Sequence, residues 1–134
     1  MKIAAVADTH AVIWYVCASP MLSEKARTFM DNLATNGLYV GVSAISLAEM
    51  VYLAEKGRIT EEVYKRLTQA LDDPYNVLTE LHFTSEIVKA MRLVPRKDVP
   101  DFPDRIIAAT AKRFDIPLIT KDSKIRAANV KCVW

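Results

Sequence analysis

Ile3-Ala4-Ala5-Val6-Ala7 is an unbroken run of five apolar residues stopped by Asp8. A strand with one wet face alternates polar and apolar residues. An unbroken run this short therefore predicts a strand covered on both faces, as in a parallel sheet flanked by helices. Leu38 to Val42 repeats the pattern, Asn76 to Leu81 and Pro117 to Thr120 give shorter strands, and Val130 to Val133 can form a last edge strand.

The segments between these runs read as helices. His10 to Cys17 has helical character, and Ser23 caps a helix whose Leu22, Ala26, Phe29, Met30 and Leu33 recur at helical spacing. Ser43 or Ser46 opens a helix through Leu53 that stops at Gly57, and Thr60 caps one with Val63, Leu67, Ala70 and Leu71 on its inner stripe. Thr84 or Ser85 starts a helix ending near Pro95. The stretch from Pro95 to Pro103 holds three prolines and reads as a loop, and a strong helix is expected from Asp104 to Phe114. Alternating strands and helices imply right-handed crossovers. The expected fold is α/β: one domain over residues 1–134, a three-layer α/β/α sandwich around a mostly parallel sheet of four to five strands.

With 134 residues, 51% of them hydrophobic, the chain can bury the core such a sandwich needs. A net charge of +2 makes no strong electrostatic case for a nucleic-acid partner and leaves the partner open. Cys17 and Cys132 lie in apolar surroundings without metal-binding spacing and are expected to be buried thiols of a cytoplasmic protein. Met1-Lys2 and the apolar residues to Cys17 imitate a secretory signal, but Asp8 and His10 interrupt it, and no segment approaches the ~18 apolar residues of a membrane span.

In open parallel sheets, chemistry collects at the carboxyl ends of the strands. Asp8 directly follows the first strand, Asp122 follows the fourth, Glu49 lies in the first turns after the second, and Asp104 is expected to cap the helix after the proline loop. Taken alone, an Asp at a helix start is usually a cap. Glu49 lies in a segment that is apolar almost all round, so its helix is expected to be buried and its carboxylate to need a partner. Carboxylates brought together raise one another's pKa values, a cost that a divalent cation removes. Hard oxygen donors without Cys or His clusters favour Mg²⁺, with Mn²⁺ as a substitute, and such an ion can polarise water and phosphate for phosphodiester hydrolysis.

The chain resembles the PIN-domain nucleases, specifically the VapC-like toxins of toxin–antitoxin systems. The resemblance rests on Val6-Ala7-Asp8-Thr9-His10-Ala11, Leu22-Ser23, Ser43 to Glu49, Lys56-Gly57-Arg58-Ile59, Asp104 to Ala111, and Ile119-Thr120-Lys121-Asp122, in that order over nearly the whole chain. It implies a Mg²⁺-dependent endoribonuclease with Asp8, Glu49, Asp104 and Asp122 as catalytic metal ligands, and a homodimer held inactive by an antitoxin. Two departures stand out. Family members often read Asp-Pro-Phe-Asp-Arg where this chain has Asp101-Phe102-Pro103-Asp104-Arg105, and an aromatic commonly precedes the Glu where this chain has Ala48.

Several neighbours have a functional and a plain reading. Thr9 and Thr120 can orient a ligand or cap a helix or turn. Arg105 can hold the scissile phosphate or pair with Asp101 or Asp104. Lys121, with Lys124 and Arg126, and Arg92, with Arg96 and Lys97, can track an RNA backbone. His10 reads as structural, and Trp14 and Tyr15 as core or dimer contacts. Tyr52 and Tyr64 are candidates for an antitoxin groove. The competing functions are an inactive PIN-like module that binds RNA or protein, and a DNA-directed nuclease or phosphohydrolase.

Overall fold

The computed structural model describes residues 1–134, save the side chains of Ser123 and Ala127. Five strands form one sheet: β1 (Ile3–Ala7), β2 (Tyr39–Ser43), β3 (Leu78–Leu81), β4 (Leu118–Ile119) and β5 (Cys132–Val133), in the order β3-β2-β1-β4-β5. Every pairing is parallel, so the sheet is wholly rather than mostly parallel. The helices are α1 (Thr9–Val16), α2 (Glu24–Thr35), α3 (Ala44–Glu55), α4 (Glu61–Asp72), α5 (Ser85–Met91), α6 (Phe102–Phe114) and α7 (Ser123–Ala127).

The apolar runs are continuous because each strand is covered on both sides. In β1, Ala5 and Ala7 enter one core with Val12, Met30, Val42, Met50 and Leu67 from α1 to α4 and β2. Val6, between them, enters a second core with Ile87, Ile106, Ile107, Leu118 and Ile125 from α5 to α7 and β4. Successive strand residues face opposite sides, which is how one pentapeptide serves both layers. Gly41 in β2 permits a close strand approach, since a Cβ there would meet Leu81 Cγ at 2.8 Å.

Strand order turns this packing into a functional geometry. The chain steps outward from β1 to β2 to β3, then returns to lay β4 and β5 on the other side of β1. The carboxyl ends of β1 and β4 are therefore the topological switch point, where the connecting helices leave toward opposite faces and a crevice opens.

Three expectations are corrected. The penultimate long helix starts at Phe102, not Asp104, because Asp101 Oδ2 accepts the Asp104 N–H at 3.0 Å and acts as the cap. α3 is not buried all round: Ser46 and Met50 face inward while Ala48, Val51 and Tyr52 are exposed. Cys17 and Cys132 are free thiols, as expected, but half-buried. No helix among the described residues is long and apolar enough to cross a membrane.

Candidate active site

A cleft of ≈ 450 Å³ at the switch point is lined by Asp8, Thr9, His10, Trp14, Glu49, Asp101, Asp104, Lys121 and Asp122. All four acids expected from the sequence are present, each delivered by a different element. Asp8 ends β1 and caps α1, where its Oδ1 accepts the Ala11 N–H at 2.8 Å. Glu49 comes from the second turn of α3, Asp104 from the first turn of α6, and Asp122 from the cap of α7. Capping explains the local chemistry, because three helix N-termini start beside the cleft and each is closed by an aspartate (Asp8, Asp101 or Asp122).

Neutral hydroxyls hold two of the four. Thr120, fully buried beyond β4, donates to Asp8 Oδ2 at 2.5 Å, and its own oxygen accepts the Asp122 N–H at 3.1 Å. One threonine thus couples the acids at the ends of β1 and β4. Thr9, also buried, donates to Glu49 Oε1 at 2.5 Å and lies 2.9 Å from the buried Ser46 hydroxyl. None of the cleft acids takes part in a salt bridge among the described residues.

The electrostatic result is a set of carboxyls that resist ionisation. Burial raises Asp8 above the ordinary carboxylate range, with Asp122 adding repulsion and the Thr120 and Ala11 hydrogen bonds opposing the rise. Burial raises Glu49 as well, against the hydrogen bond from Thr9. Asp104 is pushed up to about 7, first by burial and then by Asp101, Glu49, Asp8 and Asp122. Desolvation dominates in all three, and mutual repulsion adds to it.

Among the described residues, no three His, Cys, Asp or Glu side chains stand together as a ready-made metal cage. The donor set nevertheless fits a hard divalent cation. Mg²⁺ takes oxygen ligands, keeps several waters and is usually held by one or two carboxylates with substrate phosphate, so it needs no all-protein cage. Asp8, Glu49, Asp104 and Asp122 supply such donors, and a cation would offset the repulsion that raises Asp104.

Of the remaining candidates, Thr9, Asp101, Thr120 and Lys121 are at the cleft or in contact with its acids. Arg105 is not: its guanidinium donates to the carbonyls of Met91 and Val94, both at 2.9 Å, and pins the start of the proline loop. Of Arg92, Arg96, Lys97, Lys121, Lys124 and Arg126, Lys121 alone lines the cleft. Tyr52 and Tyr64 line separate hollows rather than one groove. His10, read as structural, and Trp14, read as a core or dimer contact, also line the cleft, their rings 5.5 Å apart, with Trp134 5.9 Å beyond Trp14. Their spacing of four residues on α1, two and six past Asp8, was the available signal. A larger hollow of ≈ 560 Å³ between α2 and α4 is lined by Asp31, which accepts from the Tyr15 hydroxyl at 2.7 Å, and by Asp73, which accepts the Tyr75 N–H at 2.9 Å.

A family model described as the PIN domain matches residues 5–131. No curated protein matches the chain. Similar solved structures include VapBC2 from Rickettsia felis bound to a DNA fragment from its promoter, with TM-score 0.72 and 18% identity over 96% of each chain. FitAcB from Neisseria gonorrhoeae has TM-score 0.62 and 23% identity, covering 96% of this chain and 95% of the other. A toxin–antitoxin complex from Klebsiella pneumoniae has TM-score 0.60 and 21% identity, covering 92% and 90%. At such identities the likeness is one of fold.

Proposed function

The chain belongs to the PIN-domain family, and from that premise we propose that it is a Mg²⁺-dependent endoribonuclease, the toxin of a toxin–antitoxin pair. The observation that carries the reading is the convergence of Asp8, Glu49, Asp104 and Asp122 on one cleft, none of them in a salt bridge among the described residues. A site built for stability would neutralise such acids with Lys or Arg or leave them in water. These acids are kept half-buried and charge-frustrated, the state that a metal and a phosphodiester relieve together.

The four carboxylates would hold the ion, with Mn²⁺ able to replace Mg²⁺. When bound, the ion would supply Lewis acidity and charge neutralisation at the phosphate. The chain's own residues provide the rest. Thr120 fixes the rotamer of Asp8, and Thr9 fixes that of Glu49, so both carboxylates are oriented before any ligand arrives. Lys121 on the rim offers a positive charge to the RNA backbone. Cellular RNA as substrate goes with a cytoplasmic location. An antitoxin partner and a homodimer complete the proposal; the first is supported by the toxin–antitoxin complex among the structural neighbours.

The test is cleavage of RNA, sequence-matched DNA and a small phosphate ester, each with Mg²⁺, with Mn²⁺ and with chelator. Metal-dependent cleavage of RNA alone is expected. Cleavage of DNA alone would reassign the substrate, and no cleavage of any of them would leave a binding module.

A further inference from the structure

The acid cleft opens at the carboxyl ends of the strands, and a different chemistry collects at the amino ends. β4 and β5 run parallel, so Ile116 and Lys131, each just before its strand, stand side by side there. With the close of α6 they line a hollow of ≈ 500 Å³, a size suited to a small-molecule ligand. It shares no lining residue with the cleft.

Three cations line this hollow: Lys112 from the last turn of α6, Arg126 from the last turn of α7, and Lys131, whose carbonyl accepts the Leu118 N–H at 2.8 Å. Asp115 is the one acid with them, and none of the four is in a salt bridge among the described residues. Like charges gathered without partners repel one another, and a bound anion removes that cost. The rest of the wall includes apolar Leu93, Ile116 and Val130.

Two helix stops add an independent signal. Asp115 (φ 52) ends α6 and Asn129 (φ 61) follows α7, both in the left-handed region and both lining the hollow. Glycine enters that region without strain and occupies it after α2 and α3, at Gly37 and Gly57. At the hollow the chain keeps polar side chains instead, Asn129 offering donors and an acceptor and Asp115 an acceptor.

We propose that this hollow binds a nucleoside polyphosphate, with its phosphates on Lys112, Arg126 and Lys131, its base on the apolar wall, and Asp115 and Asn129 hydrogen-bonding the nucleoside. A nucleic-acid strand requires a track of cations along its backbone, whereas these line one hollow of single-ligand size. The site is independent of the nuclease reading.

The test is calorimetry of the unmodified chain with ATP, GTP and inorganic tripolyphosphate, in chelator so that no divalent cation draws phosphate to the acid cleft. At least one nucleotide should bind at least about tenfold more tightly than tripolyphosphate, the difference coming from burial of the base. Lys112→Ala with Lys131→Ala should weaken that nucleotide by at least about tenfold. Asn129→Gly should weaken it by about fivefold while leaving the melting temperature unchanged or higher, a split that a merely structural asparagine would not give. No nucleotide binding, equal affinity for tripolyphosphate, or unaltered affinity in both variants would overturn the proposal. So would single-stranded RNA that displaces the nucleotide and itself loses affinity in the double variant, a result that assigns the surface to RNA. The nuclease reading is decided separately, by metal-dependent cleavage.

Discussion

The molecule carries two populations of acids. On the outer helices, Glu62 lies 3.2 Å from Arg66 and Glu86 lies 3.3 Å from Lys89, all four well exposed. Pairs of that kind are screened and contribute about 0–1 kcal/mol each. In the cleft, Asp8 and Glu49 are held by threonine hydroxyls, Asp104 faces other carboxylates, and no cation neutralises any of them among the described residues. A hydroxyl returns only part of what a carboxylate loses on leaving water, so burial still raises Asp8 and Glu49, and Asp104 is pushed up to about 7. The difference teaches where a cation would act under the proposed function: Glu62 and Glu86 already have theirs, and the cleft acids would receive one from solution.

The comparison is broken most forcefully by Asp8→Asn, which should lower RNA cleavage by at least about a thousandfold while leaving the fold intact, as read by circular dichroism. Glu62→Gln, the surface counterpart, should leave the rate within about twofold. Next in size is Thr120→Val, which keeps the shape and removes the hydroxyl from Asp8; calorimetry should show divalent-metal affinity falling by about 10–100-fold.

Asp104→Asn probes the frustration itself. With its carboxyl pushed up to about 7, the native metal-free protein keeps a proton there that the unfolded chain loses near pH 4. Native stability is then fully retained below about pH 4 and declines as pH rises through about 7. Asp104→Asn should remove that decline and raise the melting temperature of the metal-free protein near neutral pH. Partial exposure keeps the gain to about 1 kcal/mol, or roughly 3–5 °C. Saturating Mg²⁺ should reverse the ranking of the two proteins. The smallest effect belongs to the surface: Arg66→Ala should cost less than about 0.5 kcal/mol, a loss that moderate salt erases.

Much of this was legible in the residues. Five strands and the α/β class follow from short apolar runs between helical segments, and Asp8 and Asp122 follow from their position just past β1 and β4. The start of α6 was not legible. Asp101 and Asp104 both suit a helix N-terminus, and Pro103 is tolerated in a first turn, so only the backbone decides that Asp101 caps and Asp104 turns into the cleft. Arg105 misled for a related reason: proximity in sequence to Asp104 says nothing of direction, and its guanidinium runs back to Met91 and Val94. The exposed side of α3 was hidden because apolar residues such as Val51 and Tyr52 look like core in a one-dimensional pattern. The contact from Thr120 to Asp8 joins residues 112 apart, a distance no local spacing encodes.

The most direct test of the central claim is the initial rate of RNA cleavage against Mg²⁺ concentration, for the unmodified protein and for Asp8→Asn, Glu49→Gln, Asp104→Asn and Asp122→Asn. Four acids serving one metal-dependent centre predict no cleavage in chelator, saturation with Mg²⁺ in the unmodified protein, and a loss or shift to higher Mg²⁺ in every variant. Undiminished cleavage in chelator, or an Asp8→Asn curve that overlays the unmodified one, would contradict it.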